Sequence, residues 1–238
     1  MVNEPVIEQD QTTEQPRIRR VLIATPSIDG RVDVWYCNSL LQTVKLAMQR
    51  GIYMHAIYTS YDSLIQRCRN SLVKIALEQD FDDLIFIDSD VEWEPEWVFN
   101  LLNASEPVVG GALVKKTEDN EGYTVKLVNK ELQWNEAKTL IEVDGVGTGF
   151  LKISKFALQQ LWEMSTPYID DKRDEETRMV FDVIIKDGEL ISEDYVACNK
   201  WKSLGFKIWL DPTITCNHIG NKKYKGNFEK FIESGGYK

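Results

Sequence analysis

Two short apolar runs constrain this chain more than any other feature. Residues 20–25 read Arg-Val-Leu-Ile-Ala-Thr, and residues 83–88 read Asp-Leu-Ile-Phe-Ile-Asp. Each is too short for a helix and lacks the polar alternation of a half-exposed strand, so each is expected to be a strand buried on both faces. Each also stops abruptly in polar residues, Pro26-Ser27 after the first and Ser89-Asp90 after the second. Between them, Leu40, Leu41, Val44, Ala47 and Met48 follow helical spacing over 34–50, and Gly51 is a natural stop. Residues 52–58 read as a second strand. Residues 62–79 read as a second helix, with Leu64, Ile65, Cys68, Leu72, Ile75 and Ala76 on one side. Glu94-Pro95-Glu96 opens a third helix, with proline in the first turn and carboxylates at the positive end of the dipole. Residues 108–114 form another strand, carrying Gly110-Gly111. Strand and helix alternate, which predicts an α/β fold with an open, mostly parallel sheet and helices on both faces.

The second half is expected to be richer in strands. Residues 123–128 and 132–134 flank Asn129-Lys130 as a hairpin, and 139–143 form a strand. Ser154 caps a helix over 154–164. Residues 179–185 lead into the turn Lys186-Asp187-Gly188. Ser192 caps a helix that Gly205 ends, and 206–210 form a last strand. At 238 residues, with no internal repeat, one domain spanning 18–238 is the economical reading, with halves at 18–115 and 116–238.

Composition narrows the functional classes. The net charge is −10, and the first 16 residues carry Glu4, Glu8, Asp10 and Glu14 without a Lys or Arg. Residues 1–17 read as a disordered tail. The remaining charge of −6 disfavours a generic phosphate-backbone binder. Cys37, Cys68, Cys198 and Cys216 form no CxxC and accompany two histidines, so they read as reduced thiols and not as a zinc site. No apolar stretch approaches the ~20 residues of a membrane span, and the N-terminus lacks a signal-peptide pattern. The expected location is cytoplasmic.

Five constellations carry chemistry. Asp88-Ser89-Asp90 places two carboxylates where a buried strand emerges, the end at which open α/β sheets bind ligands. Oxygen ligands there suit a hard divalent cation. Ser192-Glu193-Asp194 opens a helix, where acids are also stabilising in their own right. His218 follows the last strand and would complete a metal site with the two aspartates. Arg69-Asn70 lies within a helix, an interior that disfavours Asn. Gly145, Gly147 and Gly149 alternate, allowing close ligand approach without matching a phosphate-loop spacing.

In this order these pieces resemble glycosyltransferases of the GT-A (nucleotide-diphospho-sugar transferase) fold, above all the small phage and bacterial types. The likeness spans residues 20–220, and 192–220 is its most specific part. Cys68 departs from the small alanine usual in the family. The resemblance implies transfer of a sugar from a nucleoside-diphosphate donor to a hydroxyl acceptor, with Mn²⁺ or Mg²⁺. Thr25, Pro26, Ser27, Arg69, Asn70, Asp88, Ser89, Lys115 and Gly149 would hold the donor, with Lys116 adding positive charge. Asp88, Asp90 and His218 would hold the metal. Asp194 would be the general base, with Glu193 second. The acceptor is a saccharide or, in an alternative reading of the chain as a phage enzyme, a hydroxymethylated pyrimidine base of DNA. Lys222, Lys223, Lys225 and Lys230 favour that alternative and the acidic body disfavours it. A nucleotidyltransferase and a non-catalytic sugar-nucleotide-binding module are the remaining alternatives.

Overall fold

The computed structural model describes residues 17–118 and 121–237. Most of the predicted tail therefore lies outside the described residues. Arg17 does not: it pairs with Asp80 and Asp82. The first half follows the expected alternation: β1 (Arg20–Ser27), α1 (Val34–Gln49), β2 (Tyr53–Ser60), α2 (Ile65–Glu78), β3 (Asp83–Ile87), β4 (Val91–Glu92), α3 (Pro95–Asn103) and β5 (Val108–Leu113). The second half contains β6 (Val125–Leu127), β7 (Gln133–Trp134), β8 (Ile141–Val146), β9 (Phe150–Ser154) and α4 (Lys155–Met164). Two hairpins follow, β10 (Pro167–Asp170) with β11 (Glu175–Arg178), and β12 (Ile184–Lys186) with β13 (Glu189–Ile191). The chain closes with α5 (Glu193–Ser203), β14 (Ile208–Ile219), β15 (Lys223–Tyr224) and α6 (Phe228–Glu233).

The fold is a single α/β domain around one large mixed sheet, ordered β2-β1-β3-β9-β5-β14-β8-β6. β1 pairs in parallel with β2 and β3, and β14 with β5. β9 runs antiparallel between β3 and β5, so β2, β1, β3, β5 and β14 share one direction with a reversed strand set among them. Helices cover both faces, as the alternation of β1 and β3 requires. Val21, Ile23, Ile85 and Ile87 face a core shared with α1 and α3. Leu22, Ala24, Leu84 and Phe86 face the opposite core, with α2, α4 and α5.

β9 was not foreseen. The sequence Phe-Leu-Lys-Ile-Ser reads as interrupted by a charge, yet Lys152 is only 2% exposed. Its ammonium donates to the carbonyls of Ala104 and Glu106, 3.0 and 2.7 Å away, so a cation passes as a core residue. β6 and β7 do not form the expected hairpin. Both pair with β8, because the chain leaves and rejoins the same partner strand. Residues 179–183 are not strand. Val180 and Phe181 are instead buried against α2, where Asn70 holds the Phe181 backbone. α1 also turns differently from its pattern. It buries Tyr36, Ser39, Thr43 and Ala47 and exposes Leu41 and Met48, because hydroxyls on this face meet Thr25 and Trp93.

Two details set the site. β14 slips register between Asp211 and Thr215, which drops Ile214 onto β5. A Cβ at Gly111 would stand 2.2 Å from the Ile214 side chain, so only glycine fits there. Beyond that bulge, β14 continues to pair His218 with Val91 of β4, which brings the histidine beside Asp90.

Candidate functional site

β1 gains β2 on one side and β3 on the other, so the strand order reverses at β1. Ligands of open α/β sheets bind at the carboxyl ends of the strands at such a reversal. A cleft of about 300 Å³ opens there. Pro26, Ser27 and Ile28 line it from the end of β1, Asp88, Ser89 and Asp90 from the end of β3, and His218 from β14. The loop into α2 and its first turn supply Asp62, Ser63, Ile65, Cys68 and Arg69. A larger aromatic cavity of about 490 Å³, between β6 and α6, contains none of the predicted site residues.

The structure sorts the predicted donor residues. Pro26, Ser27, Arg69, Asp88 and Ser89 line the cleft. Thr25 does not: it is fully buried and its hydroxyl lies 2.6 Å from that of Tyr36, beneath the strand. Asn70 is also turned away. Its amide donates to the Phe181 carbonyl at 3.0 Å and accepts the Phe181 N–H at 2.7 Å, so it serves as a clamp. Lys115 opens onto a neighbouring groove with Lys222, Lys223 and Lys225, while Lys116 reaches Asp90. Gly149 packs on the aspartate: a Cβ there would stand 3.2 Å from Asp88 Oδ2, and the Gly149 carbonyl accepts the Asp88 N–H.

The two aspartates of the motif part company. Asp88 Oδ1 takes a 3.0 Å bond from Arg69 Nη2. Asp90 Oδ1 lies 3.4 Å from His218 Nε2, and its other oxygen meets Lys116. Burial alone would raise the Asp90 pKa, but His218 and Lys116 outweigh it and hold the carboxyl below its ordinary value. His218 Nδ1 stands 2.9 Å from the Val114 carbonyl. The bond to Asp90 needs a proton on Nε2; a cation between Nε2 and Asp90 would replace it, with the Nδ1 proton held on the Val114 carbonyl, the orientation in which a ligating histidine is usually held. Asp90 and His218 thus fit an oxygen-plus-imidazole cation site. Among the described residues, no three His, Cys, Asp or Glu side chains converge closely enough to hold an ion, because Asp88 is engaged by Arg69.

The acid pair of α5 does not line this cleft but is tied to it through Arg69. Arg69 is 3% exposed, and its Nε approaches Glu193 Oε1 at 3.4 Å while Nη2 holds Asp88. One guanidinium therefore joins the end of β3 to the start of α5, with its Nη1 left without a partner. Asp194 Oδ1 accepts from the Ser192 hydroxyl and from the Tyr195 N–H. Ser192 thus bonds a neighbouring side chain and not the helix N–H groups expected of a cap. Asp194 Oδ2 points at the glycine segment, 3.6 Å from where a Gly147 Cβ would lie. Gly147 touches Asp194 and Gly149 touches Asp88, so this segment runs between the two acids.

Asp62, Ser63, Ile65 and Cys68 were missed as cleft residues. Their signal was the same as at β3: a short polar stretch, Tyr61 to Ser63, directly after a strand. Burial would raise the Asp62 pKa, but Arg67, the Leu64 N–H and Lys172 hold it down at about 2. With Arg67 donating two bonds at 2.8 and 2.9 Å, this carboxylate anchors the loop.

No protein-family model matches the chain, and no curated protein matches it. Solved structures do. A197 from STIV aligns over 85% of this chain and 86% of its own at 18% identity, with a TM-score of 0.51, which shows a shared fold. A glycosyltransferase involved in glycosylation of the major capsid of PBCV-1 aligns over 58% of this chain and 62% of its own, at 11% identity and a TM-score of 0.35. A UDP-glucose pyrophosphorylase complexed with UDP-glucose aligns over 92% and 98%, at 7% identity and a TM-score of 0.44.

Proposed function

We propose that this chain is a metal-dependent glycosyltransferase that moves a sugar from a nucleoside-diphosphate donor to an acceptor hydroxyl. The observation that carries the reading is the linkage of the strand-end Asp88 to the α5 acid pair through Arg69, which lines the cleft. Arg69 ties Asp88 to Glu193, and Gly147 and Gly149 run between Asp88 and Asp194. In this reading residues 18–115 supply the donor side and 116–238 the acceptor side.

Pro26, Ser27 and Ile28 would hold the nucleoside end of the donor, against the loop of Asp62 and Ser63. Asp90 and His218 would hold Mn²⁺ or Mg²⁺, with Asp88 available only if Arg69 releases it. A divalent cation there supplies neutralisation of the charge that develops on the departing diphosphate. Lys116 adds a second positive group at the same aspartate.

The division of labour between the two acids follows from their partners. Glu193 is engaged by the Arg69 guanidinium, which gives it a positioning role. Asp194 has one oxygen satisfied by local donors and the other facing the glycine segment. The acceptor hydroxyl oxygen forms its bond to the anomeric carbon as the bond to the diphosphate breaks. Its proton passes to Asp194, and the nucleoside diphosphate leaves with the electron pair.

The test is a thermal-shift panel of nucleoside diphosphates, with and without Mn²⁺, on wild type and Asp90→Ala. A ligand that binds only the folded chain raises the midpoint by mass action. We expect a rise that needs nucleotide and metal together and disappears in Asp90→Ala. No shift with any nucleotide, or a shift unchanged in Asp90→Ala, would overturn the reading.

A further inference from the structure

β2 forms one edge of the main sheet, and among the described residues no strand pairs with its outer side. It reads Tyr-Met-His-Ala-Ile-Tyr-Thr-Ser, without a proline, a carboxylate, a lysine or an arginine. Those are the devices by which edge strands normally avoid pairing with other chains. The Tyr53 N–H bonds the Arg19 carbonyl on the β1 side. In a parallel ladder successive residues alternate sides, so Met54, Ala56, Tyr58 and Ser60 turn their N–H and C=O groups outward.

The helix above this edge is apolar on the same side. Tyr36 of α1 meets Tyr58 of β2 at 6.3 Å between ring centroids, and Cys37 stands close enough to bias the Tyr58 hydroxyl. At 100° per residue, Val34, Cys37, Leu41, Val44 and Met48 share an arc about 80° wide on this Cys37 flank. Val34, Leu41 and Met48 are 72%, 71% and 75% exposed. Leu40 and Leu46 pack on the core, but Val34, Leu41 and Met48 leave an apolar strip of the helix uncovered.

We propose that this edge is a homodimer interface. β2 pairs antiparallel with β2 of a second copy about a two-fold axis, the sheet continues across both chains, and the apolar flank of α1 packs on its mate. A second copy fits because a two-fold contact must be self-complementary. The open N–H and C=O groups of an antiparallel strand pair are the same on both chains. The stripe on α1 is symmetric as well, with Leu41 midway between Val34 and Met48. An antiparallel mate therefore presents the same three residues in reverse, with opposed helix dipoles. The chain carries a net charge of −10, yet β2 has no charged residue and α1 has a single one, the exposed Lys45 beside the stripe, so like-charge repulsion is low here. The strand is ~27 Å long and the helix ~24 Å. The two elements therefore run about the same length against their mates in two layers.

Sedimentation equilibrium on the full chain tests this, with two variants. Ala56→Pro removes an outward N–H that makes no internal bond, a place where an edge strand tolerates proline. Leu41→Lys puts a charge in the middle of the stripe. Wild type is expected at twice the chain mass and both variants at the chain mass, with unchanged circular dichroism. Should Ala56→Pro fail to fold, Leu41→Lys decides alone, since its side chain is exposed. A monomeric wild type, a dimer that persists in Leu41→Lys, or an open-ended series of higher oligomers would each overturn the proposal.

Discussion

Arg69 shows how one side chain can decide the roles of its neighbours. An arginine inside an apolar helix usually reaches for solvent with its head group. Here the guanidinium is buried between Asp88 and Glu193. It occupies Glu193, which in the proposed reaction leaves Asp194 to take the proton. Asp194→Asn keeps the shape and the local hydrogen bonds but cannot take a proton at neutral pH. Turnover with the true donor and acceptor should fall by roughly 10²–10⁴, the usual effect of losing a positioned base. Donor affinity, measured by calorimetry, should stay near wild type because Asp90 and His218 are untouched. Near-normal turnover would remove Asp194 from the base role. The residues that deceived at this scale, Thr25 and Asn70, are polar groups in predicted strand-end and helix positions. Their hydrogen bonds go inward, to Tyr36 and Phe181, and sequence spacing does not report which way a polar side chain turns.

At the scale of elements, β9 is the piece that converts an alternating α/β pattern into a mixed sheet. Its central Lys152 is buried between Ile85 and Val109 of the flanking strands and reaches the carbonyls of Ala104 and Glu106. Burial, partly offset by Asp83, pushes the Lys152 pKa down to about 8 from an ordinary 10.5. The sign follows directly. Between pH 8 and 10.5 the unfolded chain keeps this proton and the folded chain has released it. Stability therefore gains from Lys152 as pH rises through that window, and the gain is absent below it. Comparing wild type with Lys152→Met by urea denaturation from pH 7 to 10.5 isolates the effect from other titrating groups. The stability difference should move in favour of wild type as pH rises. A difference independent of pH would show that the amine titrates normally. The same lysine explains why β9 escaped the sequence pattern. A charge in a short apolar run reads as exposure unless its partners, here backbone carbonyls two elements away, are known.

At the scale of the whole molecule, the first described residues are fixed by cations on acidic residues at the entrance of β3. Arg17 bonds Asp80 and Asp82, and Arg19 bonds Asp83 and the Leu102 carbonyl. Asp83 is 4% exposed at its side chain, so removing Arg19 strands a buried carboxylate. A chain beginning at Arg17 should keep the wild-type melting temperature. One beginning at Arg20 should lose stability on the order of a few kcal/mol, the cost of breaking a buried pair from one side. Equal melting curves for the two truncations would show that these cations contribute nothing. A large loss already at Arg17 would assign stability to residues 1–16.

Strand identity for β1, β3 and β5, helix placement for α1 to α5, and the position of the acids at a strand end were all legible in the sequence. They depend on local periodicity and on turn chemistry within a few residues, such as the Ser154 cap and Gly205 at the end of α5. Strand order, the reversed β9, the shared partner of β6 and β7, and the meeting of His218 with Asp90 were decided by the tertiary structure. Those features join residues up to 128 positions apart in the chain, from Asp90 to His218. The physical reason is that a side chain's chemistry is local, whereas its partner is chosen by which elements pack together. Arg69 carries the same guanidinium in any helix; only the fold lays Asp88 on one side of it and Glu193 on the other.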